Sequence, residues 1–289
     1  MRRLVLIGIL VIAGAAGIVA RQPASGPLQT AELVKVKDNL FVVKGGGGNT
    51  AAFVTSTGVV LVDTKLAGWG ERIMQQVRSV TDKPVTMIIN THTHGDHVGS
   101  NDFFAASVEV VAHANTKTNM VKMPAFAGDK AQFLPDRTYT DRLTLGSGAE
   151  RIELHHFGRG HTDGDTIVVF PALRLAHTGD LFAGLGTPLI DTNNGGSGVA
   201  YPETLKKAAA GITGVDAVIP GHAEVMPWAK FVEFGEFNAA LLSAVQQAIK
   251  DGKTPEAAFA ELKLPEKFKD YQIARGQGNV TAIYGELKK

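Results

Sequence analysis

Short apolar runs separated by polar or glycine-containing turns fill the first third of the chain and predict a series of β-strands. The first four runs form two pairs around tight turns, a pattern typical of hairpins. These runs are 33–36, 40–44, 50–55 and 59–63. Helical spacing follows at 71–80, and a continuous apolar run at 85–90 predicts a buried strand. Polar residues 91–104 come next, and we expect a helix between them and the following strand.

The rest of the chain repeats this order of strands followed by helices. Five further strands are predicted at 108–112, 152–156, 166–170, 173–177 and 217–219. Helical spacing covers 201–209 and 227–250, a segment from Pro255, and a segment from Gln277 to the end. A sheet must cover its apolar faces, so this order indicates two sheets packed face to face with helices outside. We therefore predict an α+β protein, a four-layer αββα sandwich with extra C-terminal helices.

The domain organisation follows from the same pattern. With 44% hydrophobic and 20% charged residues, the composition is that of an ordinary globular protein. We expect a signal peptide or membrane anchor at 1–20, a linker at 21–30 and a main domain at 31–228. Residues 229–289 are expected to form a helical extension packed on that domain.

The first twenty residues have the pattern of a targeting segment. Arg2 and Arg3 precede a run without charge that ends at Ala20, as in a secretory signal. The run is also long enough for an uncleaved membrane anchor, which is the alternative. The expected location is therefore periplasmic or secreted, or else attached to the membrane by this segment.

Charge and cysteine content exclude several classes of partner and chemistry. Removing residues 1–20 lowers Lys+Arg from 29 to 27 against 28 acidic residues, so the net charge changes from +1 to −1. A near-neutral body lacks the basic face that nucleic acid requires, and a small-molecule substrate is expected instead. The oligomeric state is not predicted. The absence of cysteine excludes disulfides and thiolate metal ligands.

Four potential metal ligands fall within six residues, directly after the apolar run 85–90. They are His92, His94, Asp96 and His97. A turn at the end of a strand lets alternate side chains point into one pocket, and imidazole and carboxylate suit a cation such as zinc. A surface loop rich in histidine is the alternative, but so dense a cluster after a buried strand favours metal. Gly95 lies inside the cluster, where we expect a side chain to block the metal or strain the turn.

Three more candidates follow later strands in the same way. His161 lies between two predicted strands, Asp180 follows the run 173–177, and His222 follows the run 217–219. Each is preceded by glycine, consistent with tight turns that present a side chain to a shared site. One such residue alone would indicate little, but three in this order strengthen the case for a metal site.

These motifs resemble those of the metallo-β-lactamase superfamily, which includes glyoxalase II, acyl-homoserine lactonases and the β-lactamases. The resemblance covers about residues 33–222. It is carried by HxHxDH at 92–97, the three later ligand candidates, and LVDT at 61–64. The pattern is specific for the superfamily but poorly specific for the substrate.

The resemblance implies the metallo-β-lactamase fold and two zinc ions per chain. The first ion would be held by His92, His94 and His161. The second would be held by Asp96, His97 and His222. Asp180 would bridge the two ions together with a water or hydroxide. Iron or manganese is the alternative, because no thiolate selects zinc.

The implied chemistry is hydrolysis of a carbonyl compound: a lactone, an ester or thioester, or a β-lactam. A bound metal can lower the pKa of water from about 15.7 to ~7, which supplies a metal-bound hydroxide near neutral pH. Asp96 and Asp180 are the predicted catalytic carboxylates. Asp96 could orient the hydroxide and pass a proton to the leaving group.

Other residues are expected to support the site or contact the substrate. Asp63, within LVDT, and His177 are expected to hold the ligands in place. Trp69, Phe182 and the stretch 120–133 are expected to form apolar walls. The alternative is that the surrounding segment 115–138, which has no periodic pattern, is a surface loop. The glycine run 45–48 is either a permissive hairpin turn or a mobile flap near the metals.

Differences between this sequence and known branches of the superfamily exclude some substrates but do not identify one. Two β-lactamase branches use a cysteine where this chain has Asp180, and they carry a lysine three residues later, where Ala183 stands. Lactonases often carry a tyrosine at that position. The alternatives to a hydrolase are an iron-dependent oxidoreductase of the same fold, similar to the sulfur dioxygenases, and a metal-binding scaffold without turnover.

Overall fold

Two β-sheets and their flanking helices make up the described part of the chain, residues 30–288 of a computed structural model. The predicted leader 1–20 and all but the last residue of the predicted linker 21–30 lie outside the described residues. Within residues 30–288, no helix combines the length and apolar character needed to cross a membrane.

The first sheet has seven strands in chain order, β1 to β7. β1 to β4 form an antiparallel meander, and β4 to β7 run parallel. The strands are Glu32–Lys37, Leu40–Lys44, Thr50–Val54, Val59–Val62, Val85–Asn90, Glu109–His113 and Arg137–Tyr139. Because the chain leaves the parallel strands β4 and β5 at the same edge, the segments after Val62 and Asn90 lie next to each other.

The second sheet has six strands in the order β13-β12-β11-β10-β9-β8. Neighbours are antiparallel except for β11 and β12, which are parallel. The strands β8 to β13 are Arg142–Leu145, Ile152–His155, Ile167–Phe170, Leu175–His177, Ala217–Ile219 and Met226–Pro227. The parallel pair again brings two exits, after His177 and Ile219, to one edge.

Seven α-helices, α1 to α7, occur within residues 30–288, together with several short 3₁₀ turns. They are Gly70–Arg78, Gly95–Val98, Ala114–Met120, Tyr201–Gly211, Trp228–Lys250, Pro255–Ala260 and Gly276–Leu287. Ile73 and Val77 of α1 cover the outer face of the first sheet. α4 and the first half of α5 cover the outer face of the second.

The main core lies between the sheets and contains only buried side chains. Phe53 of the first sheet and Phe170 of the second meet there with ring centroids 5.0 Å apart. Both sheets are covered on both faces, which explains their nearly continuous apolar strands. The predicted αββα sandwich with additional C-terminal helices is confirmed.

The C-terminal segment packs on itself and on the main domain. α6 and α7 pack on the second half of α5. In α7, Glu286 accepts hydrogen bonds from the Ser197 hydroxyl and, at 2.7 Å, from the Gly198 backbone N–H. The phenylalanines of the first half of α5 belong to the core beneath the second sheet, so this helix is an integral layer. The exact division at residue 228 stays a prediction.

Some details differ from the sequence-based expectations. The helix expected between the polar segment 91–104 and β6 is absent from the described residues, where only turns connect them. The helical residues lie inside the segment instead, in α2 and a 3₁₀ turn at Asn101–Phe103. The strands β7 and β8 were not predicted, because most of their side chains are exposed and polar.

Candidate metal centre

Seven histidine and aspartate side chains meet at the edge where the parallel strands of both sheets end. His92 and His94 follow β5, and Asp96 and His97 lie in α2 directly after them. His161 lies between β9 and β10, and Asp180 and His222 follow β11 and β12. The structure therefore brings together all seven residues that the sequence proposed as ligands, and their role as ligands stays a prediction.

The first group consists of His92, His94, His161 and Asp180, whose ligand atoms lie within 4.8 Å of one another. His161 Nε2 is 2.9 Å from His94 Nδ1 and 3.8 Å from Asp180 Oδ2. His92 and His161 are completely or almost completely buried, whereas His94 lies at the mouth of the site.

The second group consists of Asp96, His97 and His222, also within 4.8 Å. His222 Nε2 is 3.3 Å from Asp96 Oδ2 and 3.3 Å from His97 Nε2. Asp180 Oδ1 lies 3.2 Å from His222 Nε2 and 3.3 Å from His97 Nε2. One carboxylate thus faces the first group with Oδ2 and the second group with Oδ1.

The outer ring nitrogens define the tautomers of four histidines. His161 Nδ1 donates to the Leu189 carbonyl at 2.7 Å, and His92 Nδ1 lies 2.9 Å from the Thr91 hydroxyl, which itself donates to Asp63. The two other outer nitrogens, His94 Nε2 and His97 Nδ1, bond the carboxylates of Asp191 and Asp63. Since these partners accept the proton of the outer nitrogen, the inner nitrogen of each ring carries a lone pair when the ring is neutral.

The arrangement of inner atoms fits metal ions. Lone pairs of His94 and His161 only 2.9 Å apart would repel each other without a cation between them. His92 Nε2 and Asp180 Oδ1 are buried without a hydrogen-bond partner, a costly state unless another ligand is bound. Metal bonds of 2.0–2.1 Å in a tetrahedron place ligand atoms about 3.3 Å apart, similar to the separations found here.

The protonation states agree with this interpretation. Burial, together with neighbouring His97, lowers the pKa of His92 well below its usual value, and burial lowers the pKa of His161 to about 4. Burial would raise the pKa of Asp180, but His97 and His222 hold it well below its usual value. His92 and His161 are therefore neutral imidazoles and Asp180 is an ionised carboxylate, the forms that bind metal.

Asp63 lies behind the segment 91–97 and bonds both of its ends. Its Oδ2 accepts from His97 Nδ1 and from the Thr91 hydroxyl, both at 2.7 Å, and its Oδ1 accepts from the Thr91 N–H at 2.8 Å. Although burial alone would lower the pKa of His97, Asp180 and Asp63 raise it well above its usual value. The structure thus places Asp63 behind His97, a candidate ligand, and its supporting role stays a prediction.

A second carboxylate, that of Asp191, lies behind His94 in the same way. The sequence analysis did not identify this residue. Its Oδ2 lies 2.7 Å from His94 Nε2, and its Oδ1 accepts from the backbone N–H groups of Asn193 and Asn194. Its backbone N–H donates to the His161 carbonyl. The run Asp-Thr-Asn-Asn-Gly signals a tight turn, but only the fold brings that turn to the histidines.

The glycine run 45–48 packs against the metal-binding turn. The Gly48 N–H donates to the Asp96 carbonyl at 3.0 Å, and a Cβ on Gly48 would overlap the ring of His97. Lys65, a fully buried lysine that sequence analysis also missed, donates from Nζ to the Gly48 carbonyl at 2.7 Å. Burial lowers the pKa of Lys65 to about 7, while Asp63 opposes that shift.

Two glycines beside ligands differ in their surroundings. A Cβ at Gly221 would overlap Asp180 Oδ1, so the turn before His222 approaches the shared carboxylate too closely for a side chain. A Cβ at Gly95 would have no atom within 4 Å. The turn therefore has room for a methyl group at Gly95, and the expectation that a side chain there blocks the metal stays a prediction.

The expected apolar walls are placed differently from the prediction. Phe182 is 0% exposed and packs against Phe231 and Phe234, so it belongs to the core and does not face a substrate. The 3₁₀ turn Gly179–Phe182 directs Asp180 to the site and Phe182 away from it. Trp69 is 4% exposed and lies beneath the glycine run, which it supports.

Two other predicted neighbours support the site from a distance. His177 Nδ1 accepts from the Gly179 N–H at 3.1 Å, and its Nε2 lies 3.2 Å from the Asn49 carbonyl. It thereby positions the turn before Asp180. The stretch 120–133 packs against Val98 of α2, and its Met123 sulfur accepts from the Thr93 hydroxyl at 3.4 Å.

Comparisons with known proteins agree with this description. The Metallo-beta-lactamase superfamily matches residues 43–223, more than half of the chain. Metallo-beta-lactamase IND-1 of Chryseobacterium indologenes is 26% identical over 206 residues, covering 65% of this chain and 80% of the relative. Metallo-beta-lactamase type 2 of Bacteroides fragilis is 24% identical over 200 residues, covering 68% and 78%.

A solved structure extends the similarity in fold. The sec-alkylsulfatase Pisa1 from Pseudomonas sp. has a TM-score of 0.74 at 16% identity, covering 89% of this chain and 50% of that one. Together, fold, site and relatives define a metal-dependent hydrolase. The chain belongs to the metallo-beta-lactamase superfamily, as its sequence motifs predicted.

Proposed function

We propose that this protein is a dinuclear zinc hydrolase that cleaves a carbonyl compound: a lactone, an ester or thioester, or a β-lactam. The observation that carries the proposal is the position of Asp180, whose two oxygens face two separate groups of ligands. The first group would hold one ion through His92, His94 and His161. The second would hold the other through Asp96, His97 and His222.

The donor set suits zinc and requires a compensating charge. All seven donors are nitrogen or oxygen, so manganese or iron could occupy the same positions under other conditions. Two divalent ions bring four positive charges, and Asp96 and Asp180 each contribute one negative charge. When bound, such ions lower the pKa of water to ~7 and polarise the carbonyl.

The protein's own groups would provide orientation and proton transfer. The Asp96 carboxylate is half-buried at the mouth of the site, with one oxygen against His222. It can accept a hydrogen bond from the attacking water and return a proton to the leaving group. Asp180 is almost completely buried and serves to hold the two groups in register.

Metal content and activity of Asp180→Ala test this proposal. We expect wild type to bind close to two metals per chain and the variant close to one, since three histidines suffice for a zinc site. The variant should fold normally and lose most hydrolysis. Asp129→Ala, which removes an exposed carboxylate outside the centre, is the control and should resemble wild type.

The assay is plasma emission spectroscopy on dialysed protein, followed by a panel of lactones, esters, thioesters and β-lactams. Two tightly held metals and near-normal turnover in Asp180→Ala would refute the bridging role. Oxygen consumption by the iron-loaded protein without hydrolysis would instead favour the oxidoreductase, and metal binding without any turnover would favour the scaffold.

We further propose that the enzyme acts outside the cytoplasm, or attached to the membrane by residues 1–20. Arg2 and Arg3 before an uncharged run support export. Mass spectrometry of the exported protein should give an amino terminus near residue 21 or 24. Recovery of full-length soluble protein from the cytoplasm would contradict this proposal.

A further inference from the structure

A groove of about 730 Å³ opens beside His222 and extends away from the metal centre. Residues 183–188 and 222–226 contribute to two of its walls. A third wall comes from the C-terminal segment, through Asp270, Gln272, Ala274 and Arg275. A concave surface of this size next to a candidate metal ligand is where a substrate would lie.

Backbone contacts attach the third wall firmly to the loop after β11. Thr187 N–H donates to the Gln272 carbonyl at 2.8 Å, and Gln272 N–H donates to the Leu185 carbonyl at 3.2 Å. The Arg275 N–H donates to the Thr187 hydroxyl at 3.0 Å. The wall is therefore held in a fixed position relative to the residues that carry the site.

The charged side chains in the groove differ in whether they have an ion-pair partner. Glu224 forms an ion pair with Lys44, which neutralises it. Asp270 and Arg275 are exposed, and within residues 30–288 neither side chain has an ion-pair partner. These two groups thus carry the unneutralised charges of the lining.

Both charged residues are connected to the loop that follows β11. The Arg275 N–H bonds Thr187, and Leu189, two residues later and at most about 7 Å away, accepts from His161. Asp270 lies two residues before Gln272, which bonds Leu185 and Thr187 of the same loop. Arg275 is the one lysine or arginine among the described residues that line the groove, so its guanidinium is the group there that can pair with an anionic substrate.

We propose that Arg275 selects substrates that carry a carboxylate remote from the bond to be cleaved. This inference rests on the proposed hydrolase site and names its substrate class. Guanidinium binds carboxylate through charge-assisted hydrogen bonds, and a fixed backbone lowers the cost of ordering its side chain. Asp270, with the opposite charge, weakens the same preference.

The position of these residues explains why relatives do not reveal the substrate. The superfamily match ends at residue 223, whereas this wall lies between residues 270 and 275. The shared region supplies the metal ligands, and the C-terminal segment supplies the charge that discriminates among substrates.

Two matched esters test the proposal: 4-nitrophenyl butyrate, which is neutral, and mono-4-nitrophenyl glutarate, which carries a remote carboxylate. In Arg275→Gln we expect the ratio of kcat/KM for the anionic over the neutral ester to fall about tenfold. The neutral ester should be unaffected. Asp270→Asn should raise the ratio, and Arg151→Gln, outside the groove, should leave it unchanged.

Calorimetry with glutarate and pentanoate on the zinc-loaded protein provides a second readout that needs no turnover. Wild type should bind glutarate more tightly than pentanoate, and Arg275→Gln should abolish that difference. An unchanged difference in the variant would overturn the role of Arg275, even if neither ester is hydrolysed. Failure of hydrolysis with an intact glutarate preference would instead count against the proposed reaction.

Discussion

At the scale of single residues, the partners behind the histidines differ in charge. His94 and His97 bond the carboxylates Asp191 and Asp63, whereas His161 bonds the carbonyl of Leu189. A carboxylate partner raises the basicity of an imidazole ligand more than a neutral carbonyl does. One histidine in each group of candidate ligands is therefore strengthened in this way, so neither group depends on neutral partners alone.

Gly48→Ala should disturb the second ligand group selectively. Its new methyl group would overlap the His97 ring, and the backbone at Gly48 is held by Asp96 and Lys65. We expect metal content after dialysis to fall from about two ions per chain toward one. Gly95→Ala, whose methyl group would meet open space, is the control; equal metal content in both variants would contradict this reasoning.

Lys65→Met should change how stability depends on pH. The pKa of Lys65 is lowered by burial to about 7 from 10.5, so the unfolded chain binds more protons than the folded one between these values. Wild-type stability should therefore rise with pH in this window, by up to about 1.4 kcal/mol per pH unit from this group. Lys65→Met should lack that contribution.

Urea unfolding of both proteins at pH 7, 8, 9 and 10 measures the difference. Below about pH 7 the buried lysine is charged, and burying that charge lowers the free energy of unfolding of the wild type by the full amount. The wild type should therefore be least stable relative to Lys65→Met there. A difference between the two proteins that stays constant across this range would show that the pKa of Lys65 is not lowered in the folded state.

At the scale of elements, α3 begins with an unusual cap. His113 Nδ1 accepts from the Asn115 N–H at 3.2 Å, and its Nε2 donates to the Thr140 carbonyl at 2.7 Å. The bond that Nδ1 accepts requires the neutral ring, because a protonated Nδ1 has no lone pair. Burial and the stacked His156 lower the pKa of His113 to about 4, so the cap is intact at neutral pH.

His113→Ala should lower the free energy of unfolding by about 1 kcal/mol at pH 7, the usual value of an N-cap. Because the folded pKa of about 4 lies below the unfolded 6.5, the wild type loses this contribution as pH falls from 6.5 to 4. His113→Asn should keep a cap but lack the pH dependence. Parallel acid unfolding curves for wild type and His113→Asn would contradict the predicted pH dependence.

At the scale of the whole molecule, metal binding should stabilise the fold. The ligands come from turns after β5, β9, β11 and β12, so bound ions connect both sheets. A ligand at 100 times its Kd adds about 2.7 kcal/mol when only the folded state binds it. Scanning calorimetry should give a lower Tm after chelation, restored by zinc, and a smaller restoration in Asp180→Ala. An unchanged Tm after chelation would contradict it.

The sequence predicted the strands best where both faces are buried. The bounds of β5 and β12 agree with the runs 85–90 and 217–219, because most of the side chains in these strands are apolar and buried. The polar edge strands β7 and β8 left no such signal. The sequence pattern did not locate α2, because its four residues are too few to show helical spacing and include two ligand candidates.

The candidate ligands could be proposed from sequence because each follows a strand, and strand ends meet at a sheet edge. Supporting residues were harder to find. Asp191 reaches His94 only through the conformation of a loop 97 positions away. Phe182 was placed wrongly because proximity in sequence to Asp180 does not reveal the direction of a side chain in a 3₁₀ turn.

The contact of Glu286 with Ser197 and Gly198 has a consequence for biosynthesis. The chain emerges from the ribosome in order, so the last ligand candidate, His222, is made 64 residues before Glu286 (286 − 222). At 5–20 residues per second this interval lasts about 3 to 13 s. During it, the loop that carries Leu189 and Asp191 lacks its C-terminal support. The growing chain therefore contains all its histidines before the contact that supports this loop can form.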